Sequence, residues 1–233
     1  KLRWWPKLHV AAGYHEPLGV KMKNSRKVLL MIVPLLLMAM SVPSDIQAQK
    51  NSLNATTVKI PSTSGSPIKG IIYGNGPNIV ILSNMDPNDP ESWAPIIPEL
   101  VTKKLSVLTY AYNRNGTERA KDLLEVLAFA QSLGFEKVAL IGACRGGVIS
   151  IQAAANNNSE IVSVAALAVP IEYEGTVFYS SEELTSISIP KLLINSEGDY
   201  SANDTRKMHE MFVEPKAVSI YSGDEHGTDM FNN

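Results

Sequence analysis

The chain has 233 residues, 45% of them apolar, and its 21 Lys and Arg against 23 Asp and Glu leave a formal net charge of −2. That balance offers no electrostatic footprint for nucleic acid, and no basic stripe with interleaved aromatic residues runs through it. One cysteine, Cys144, excludes an internal disulfide framework and leaves a lone thiol to be explained.

The first informative stretch is basic and then apolar. Lys21, Lys23, Arg26 and Lys27 precede an apolar run over residues 28–40. The run falls within the roughly 7–15 residues of a signal-peptide core and short of the roughly 20 needed to span a bilayer. Ile46-Gln47-Ala48 offers a cleavage site after Ala48, though Ile is large for its outer position. The reading is an upstream extension over residues 1–21, a signal peptide over 22–48 and a folded domain over 49–233. It makes the protein exported, periplasmic or secreted, with no stable membrane insertion once the signal is removed.

From residue 49 onward, apolar strand-like runs alternate with helical patterns, which predicts βα units and a mostly parallel sheet. Residues 56–60 and 68–73 read as a leading antiparallel pair around a Pro/Ser/Gly turn. Residues 78–82 and 105–110 are fully apolar strands, with a helical pattern over 93–103 between them. A helix is expected over 118–133, with Leu123, Leu124, Leu127 and Ala130 on one side. Strands follow at 137–141 and 161–169, the latter favoured over helix by its β-branched residues and the stop at Pro170. A strand at 191–195, a helix at 202–213 and a strand at 217–221 close the set. About twenty residues between Pro170 and Pro190 are too few for a lid domain, so an open site is expected.

Gly142-Ala143-Cys144-Arg145-Gly146 lies between the strand at 137–141 and a helical pattern at 148–155. A small-x-nucleophile-x-small turn from strand to helix is the nucleophile elbow, with Cys in the Ser position. Its small flanking residues let strand and helix pass closely. The helix N-terminus behind it favours a thiolate. The bland alternative is that a lone Cys is a small buried hydrophobe.

In a doubly wound sheet, ligands bind at the carboxyl ends of the parallel strands. Polar loops stand there: Ser83-Asn84-Met85-Asp86, Ser196-Glu197-Gly198-Asp199 and Gly223-Asp224-Glu225-His226-Gly227. With Cys144, Asp199 and His226 in chain order nucleophile, acid, histidine, the mature chain resembles an α/β-hydrolase, a small lid-less esterase-like member. The Cys nucleophile resembles the dienelactone-hydrolase branch. The resemblance implies a mostly parallel sheet with helices on both faces and a triad of Cys144, Asp199 and His226. It also implies an oxyanion hole from the backbone N–H groups of Arg145 and Met85. Two departures stand out. Ser83-Asn84 replaces the usual His-Gly after the third strand, and Asn lacks glycine's freedom at positive φ. Family members also continue past the histidine into a final helix.

Glu197, Asp224 and Asp229 compete with Asp199 for the acid. His209 reads as a surface residue, and Arg114 and Asn115 as structural. Arg145 either grips an acidic group or faces solvent. Two scattered histidines and one cysteine in the mature part make no metal cluster, and no cofactor motif is present. The expected activity is hydrolysis of small activated esters, lactones or thioesters through a thioester acyl-enzyme. Acyl transfer by the same nucleophile and a non-catalytic binding role are the alternatives.

Overall fold

Apolar residues at every position, rather than every second one, mark strands covered on both faces. Strands β3 (Ile79–Ser83), β4 (Ser106–Tyr110), β5 (Val138–Ala143) and β9 (Lys191–Ser196) are buried along their whole length. They form the middle of the sheet in a computed structural model that describes residues 53–156 and 160–232. The upstream extension, the signal peptide and its cleavage site lie outside the described residues.

The sheet has eight strands in the order β1-β2-β4-β3-β5-β6-β9-β10, where β1 is Ala55–Ile60, β2 Ile68–Tyr73, β6 Ile161–Leu167 and β10 Lys216–Tyr221. Strand β2 runs antiparallel to β1 and β4, and the remaining pairs are parallel. Alternation within each strand divides the core. Ile79, Ile81 and Leu140 enter one apolar cluster, while Val80, Leu82, Ala139 and Ile141 enter the other. On the first face pack helices α2 (Arg119–Ser132), α3 (Arg145–Ala155), α4 (Ser181–Ser186) and α5 (Ala202–Met211). The second face is covered by α1 (Ile97–Thr102), by Trp93 and by a short 3-10 turn at Gly227–Phe231. Trp93 and Phe231 meet there with ring centroids 5.9 Å apart.

The strand order reverses beside β3. The chain moves from β3 to β4 on one side, then returns to place β5 on the other. Ser83 is level with Gly142, and Ala143 with Leu167, so β3, β5 and β6 end side by side. That crevice is where a doubly wound sheet presents ligands.

Three sequence readings need correction. The pattern at 93–103 splits into a 3-10 turn, Pro90–Trp93, and α1, because Pro95 and Pro98 have no N–H to continue one helix. Leu124 is 49% exposed. Its neighbours Leu123, Leu127 and Ala130 share a stripe completed by Val126, and Leu124 falls past the edge. His209 is half-buried in α5 rather than on the surface, and burial lowers its pKa. No helix among the described residues is long and apolar enough to cross a membrane.

Candidate active site

Cys144 joins β5 to α3 with φ 48° and ψ −117°, a conformation that costs a non-glycine residue and persists only where its surroundings impose it. The surroundings do so from both sides. The Cys144 N–H donates to the Leu167 carbonyl of β6 (2.8 Å), and its carbonyl accepts from the Val148 N–H (3.0 Å). A Cβ on Gly142 would overlap the backbone of Gly146. One on Gly146 would overlap the Ser83 carbonyl and lie 2.6 Å from the Asn84 carbonyl oxygen. The small residues of the motif are therefore required by backbone crossing backbone. The half-buried thiol sits at the start of α3.

Asp199 and His226 meet across the loops after β9 and β10. Those loops are zipped together by Glu197 N–H to the Tyr221 carbonyl (2.7 Å) and Gly198 N–H to the Gly223 carbonyl (2.8 Å). Asp199 Oδ2 accepts from His226 Nδ1 at 2.6 Å. Its Oδ1 accepts from the Ser201 N–H (2.8 Å) and hydroxyl (2.5 Å). Burial pushes the Asp199 carboxyl up, but the bonds from His226 and Ser201 outweigh it and hold it below its ordinary value. Burial likewise disfavours the imidazolium of His226. Hydrogen bonding and charge from Asp199 and Cys144 override this and raise it to about 10. The competing acids Glu197, Asp224 and Asp229 are exposed to solvent.

The loop after β3 lies against the first turn of α3, as the Gly146 contacts require. Neither Arg145 nor Met85 gives its main-chain N–H to another group among the described residues, which leaves both free beside the elbow. The Met85 side chain packs against the histidine loop, where its sulfur accepts from the Thr228 hydroxyl (3.5 Å). Asn84 is fully buried and is a hub rather than a glycine substitute. Its Nδ2 donates to Tyr110 O (2.6 Å) and Asn88 Oδ1 (3.0 Å), and its Oδ1 accepts from Trp93 Nε1 (3.1 Å). Among the described non-glycine residues, positive φ falls on Lys104, Cys144, Ala168 and Glu174 alone. Asn84 therefore needs none of glycine's freedom.

No protein-family model and no curated protein sequence matches this chain. Solved structures do. It is similar to the esterase Pf2001 of Pyrococcus furiosus, at TM-score 0.66 and 14% identity over 82% of this chain and 92% of that one. Est1E of Butyrivibrio proteoclasticus follows at TM-score 0.62 and 14% identity, over 76% and 91%. The enol-lactonase of Burkholderia xenovorans gives TM-score 0.59 and 16% identity, over 76% and 94%. This is the α/β-hydrolase fold.

In this hydrolase fold the residues between β6 and β9 form a wall over the site. Residues 171–178 make a small hairpin, β7 (Glu172–Tyr173) and β8 (Thr176–Val177), turning through Glu174 and Gly175 at positive φ. The Phe178 N–H closes its base on the Ile171 carbonyl (2.9 Å). Asp204 of α5 accepts from the Ile171 N–H (2.9 Å), and Gln152 of α3 donates to the Phe178 carbonyl (3.0 Å). Between this wall and the elbow lies an open cleft of about 180 Å³, lined by Cys144, Arg145, Val148, Phe178, Tyr173 and Tyr200, among others. Arg145 does not face free solvent. Its Nε pairs with Asp86 (3.3 Å), whose other oxygen binds the buried Arg119 (2.5 Å). Arg114 is structural, as expected. It binds Asp122 and Glu125 of α2 and the Thr63 hydroxyl of the β1–β2 turn.

Sequence reasoning missed Tyr173, Tyr200, Ser201 and Asp86. Only Ser201 carried a signal, since an Asp carboxylate commonly accepts from the backbone N–H two residues on. Among the described residues, no group of three or more His, Cys, Asp or Glu is placed to hold a metal ion.

Proposed function

We propose that this protein hydrolyses small activated carboxylic esters, lactones or thioesters, with Cys144 as nucleophile, His226 as proton carrier and Asp199 as the group that orients it. One observation carries the reading: an Asp–His pair 2.6 Å apart stands beside a cysteine held at positive φ on a strand-to-helix turn. The solved structures of similar shape supply context, since their names are those of esterases and an enol-lactonase.

The chemistry follows from where the proton sits. With the His226 pKa raised to about 10, the imidazole is protonated at neutral pH and its charge favours a sulfur anion next to it. The thiolate attacks the substrate carbonyl carbon, and its oxygen becomes an anion facing the N–H groups of Arg145 and Met85. Collapse expels the alcohol or thiol, which takes the proton from His226 and leaves a thioester on Cys144. His226, now neutral, removes a proton from water as it attacks that thioester. The carboxylic acid leaves and the thiolate returns. A thiolate expels poor leaving groups with difficulty, which restricts the reaction to activated acyl groups and disfavours peptides. The open cleft suits small substrates.

The test is turnover of p-nitrophenyl acetate. Cys144→Ala abolishes it, Cys144→Ser retains a residue of it, and His226→Ala loses about 10⁴-fold in kcat. Full activity in His226→Ala removes the triad from consideration. Stoichiometric acetylation of Cys144 without turnover turns the reading toward acyl transfer.

The residues 22–48 support a proposal about place. The protein is exported and acts outside the cytoplasm, its mature part starting near Gln49. An N-terminal mass that begins elsewhere, in protein recovered from an exporting host, overturns it.

A further inference from the structure

The hydrogen bond to Asp199 fixes one nitrogen of His226 but leaves the ring free to tilt about it. Something else must set the plane in which the other nitrogen faces Cys144. The only ring contact His226 makes among the described residues is with Tyr200, the residue after Asp199. The two rings stack with centroids 5.1 Å apart and planes 24° from parallel. Tyr200 is backed by Tyr173 of the hairpin, with centroids 6.1 Å apart. It is 61% exposed and lines the cleft that contains Cys144. An aromatic ring left that open in the mouth of a site gains little from burial there, so its stacking geometry needs another reason.

We propose that Tyr200 is a positioning residue for the reaction: its ring, stacked on His226, fixes the plane in which the imidazole faces Cys144. The proposal rests on the Cys144–His226 reading given above. A protonated imidazole lying on an electron-rich ring face is favoured by a cation–π attraction, which adds to the pull of Asp199. Because Asp199 and Tyr200 are adjacent, one loop delivers both the in-plane hydrogen bond and the out-of-plane stack. Displacing the imidazole by a fraction of an ångström weakens both proton transfers without touching the substrate pocket.

The experiment uses the whole folded domain and its single cysteine, so that alkylation by iodoacetamide reads Cys144 alone. The rate is followed against pH for the wild type, Tyr200→Phe, Tyr200→Ala and His226→Ala, alongside kcat and KM for p-nitrophenyl acetate. Far-UV circular dichroism confirms that each variant is folded. Tyr200→Ala is expected to lower kcat roughly 10- to 100-fold with KM nearly unchanged. Its alkylation at neutral pH should slow, because an imidazole out of plane assists the thiol less. Tyr200→Phe, which keeps the stack, is expected to restore most of kcat and most of the alkylation rate. Two results overturn the proposal and leave the triad standing: a Tyr200→Ala enzyme with wild-type kcat and profile, or a Phe variant no better than Ala with KM alone changed. In both, His226→Ala still abolishes activity and thiol reactivity. If His226→Ala also leaves both intact, the triad reading falls and this one with it.

Discussion

The elbow and the hairpin face one another across a single cleft and are built in opposite ways. At the elbow, backbone passes so close to backbone that Gly142 and Gly146 have no room for a methyl group. Every main-chain group that could relax the strained Cys144 is tied to β6 or α3. The hairpin has two residues per strand, exposes Tyr173 and Val177, and is fastened at its feet through Asp204 and Gln152. The difference separates two tasks. Attack needs atoms fixed within a fraction of an ångström, which dense packing supplies. Choosing among substrates needs a wall whose side chains can change without disturbing the core.

The hardest blow to that comparison falls at Gly146. Gly146→Ala is expected to destabilise by about 3 kcal/mol or more, because the clash is with the Ser83 and Asn84 carbonyls and no rotamer relieves it. Denaturant unfolding measures this. A wild-type midpoint would mean that the elbow tolerates movement and that the contrast with the hairpin is false. Asn84→Ala comes next. It strips partners from the Trp93 indole and the Tyr110 carbonyl in a buried setting, at an expected cost of about 2–4 kcal/mol. A loss under about 0.5 kcal/mol would show that the loop after β3 is held by its apolar contacts instead.

How much of this was legible in the sequence depended on how locally each feature is encoded. Buried central strands are continuous apolar runs, so the strands could be read at residues 78–82, 105–110, 137–141 and 191–195. Cys144, Asp199 and His226 could be picked out as candidates because each follows such a run, where polar residues have a reason to be. The hairpin was not. Glu172, Tyr173, Thr176 and Val177 show no alternation long enough to read, and the wall exists because Ile171 and Phe178 are clipped by residues elsewhere in the chain. Asn84 was misjudged for a similar reason. Its sequence position recorded a missing glycine, whereas its partners Tyr110 and Trp93 come from separate elements that fold back over it. The Tyr200–His226 stack required the β9 and β10 loops to be zipped first, a property of neither loop alone.

The ionic part of the site gives a smaller effect with a definite sign. His226 is raised to about 10, above its ordinary 6.5. Its pairing therefore stabilises the fold fully below about pH 6.5 and is lost as pH rises toward 10. Asp199, held below its ordinary value, contributes above that value and loses its contribution only as pH falls through the acid range. The stability gap between the wild type and His226→Gln should therefore shrink steadily between pH 6.5 and 10. Lys191, lowered by burial to about 8, titrates in both proteins and cancels from the difference. A gap that stays flat from pH 6.5 to 10 would place the imidazole in its neutral form throughout.

The smallest expected effect on stability falls where the comparison predicts most change in selectivity. Tyr173 is 44% exposed, reaches Tyr200 rather than the core, and belongs to a segment whose fastenings use backbone atoms of Ile171 and Phe178. Tyr173→Ala should leave the unfolding midpoint within about 0.5 kcal/mol of wild type. It should raise KM for p-nitrophenyl esters several-fold and spare most of kcat, since His226 keeps its stack on Tyr200. A fall in kcat matching that of Tyr200→Ala would show that Tyr173 is needed to hold the stack. The wall would then belong to the catalytic apparatus, and the division of labour across the cleft would lie between Tyr173 and the tip at Glu174 and Gly175.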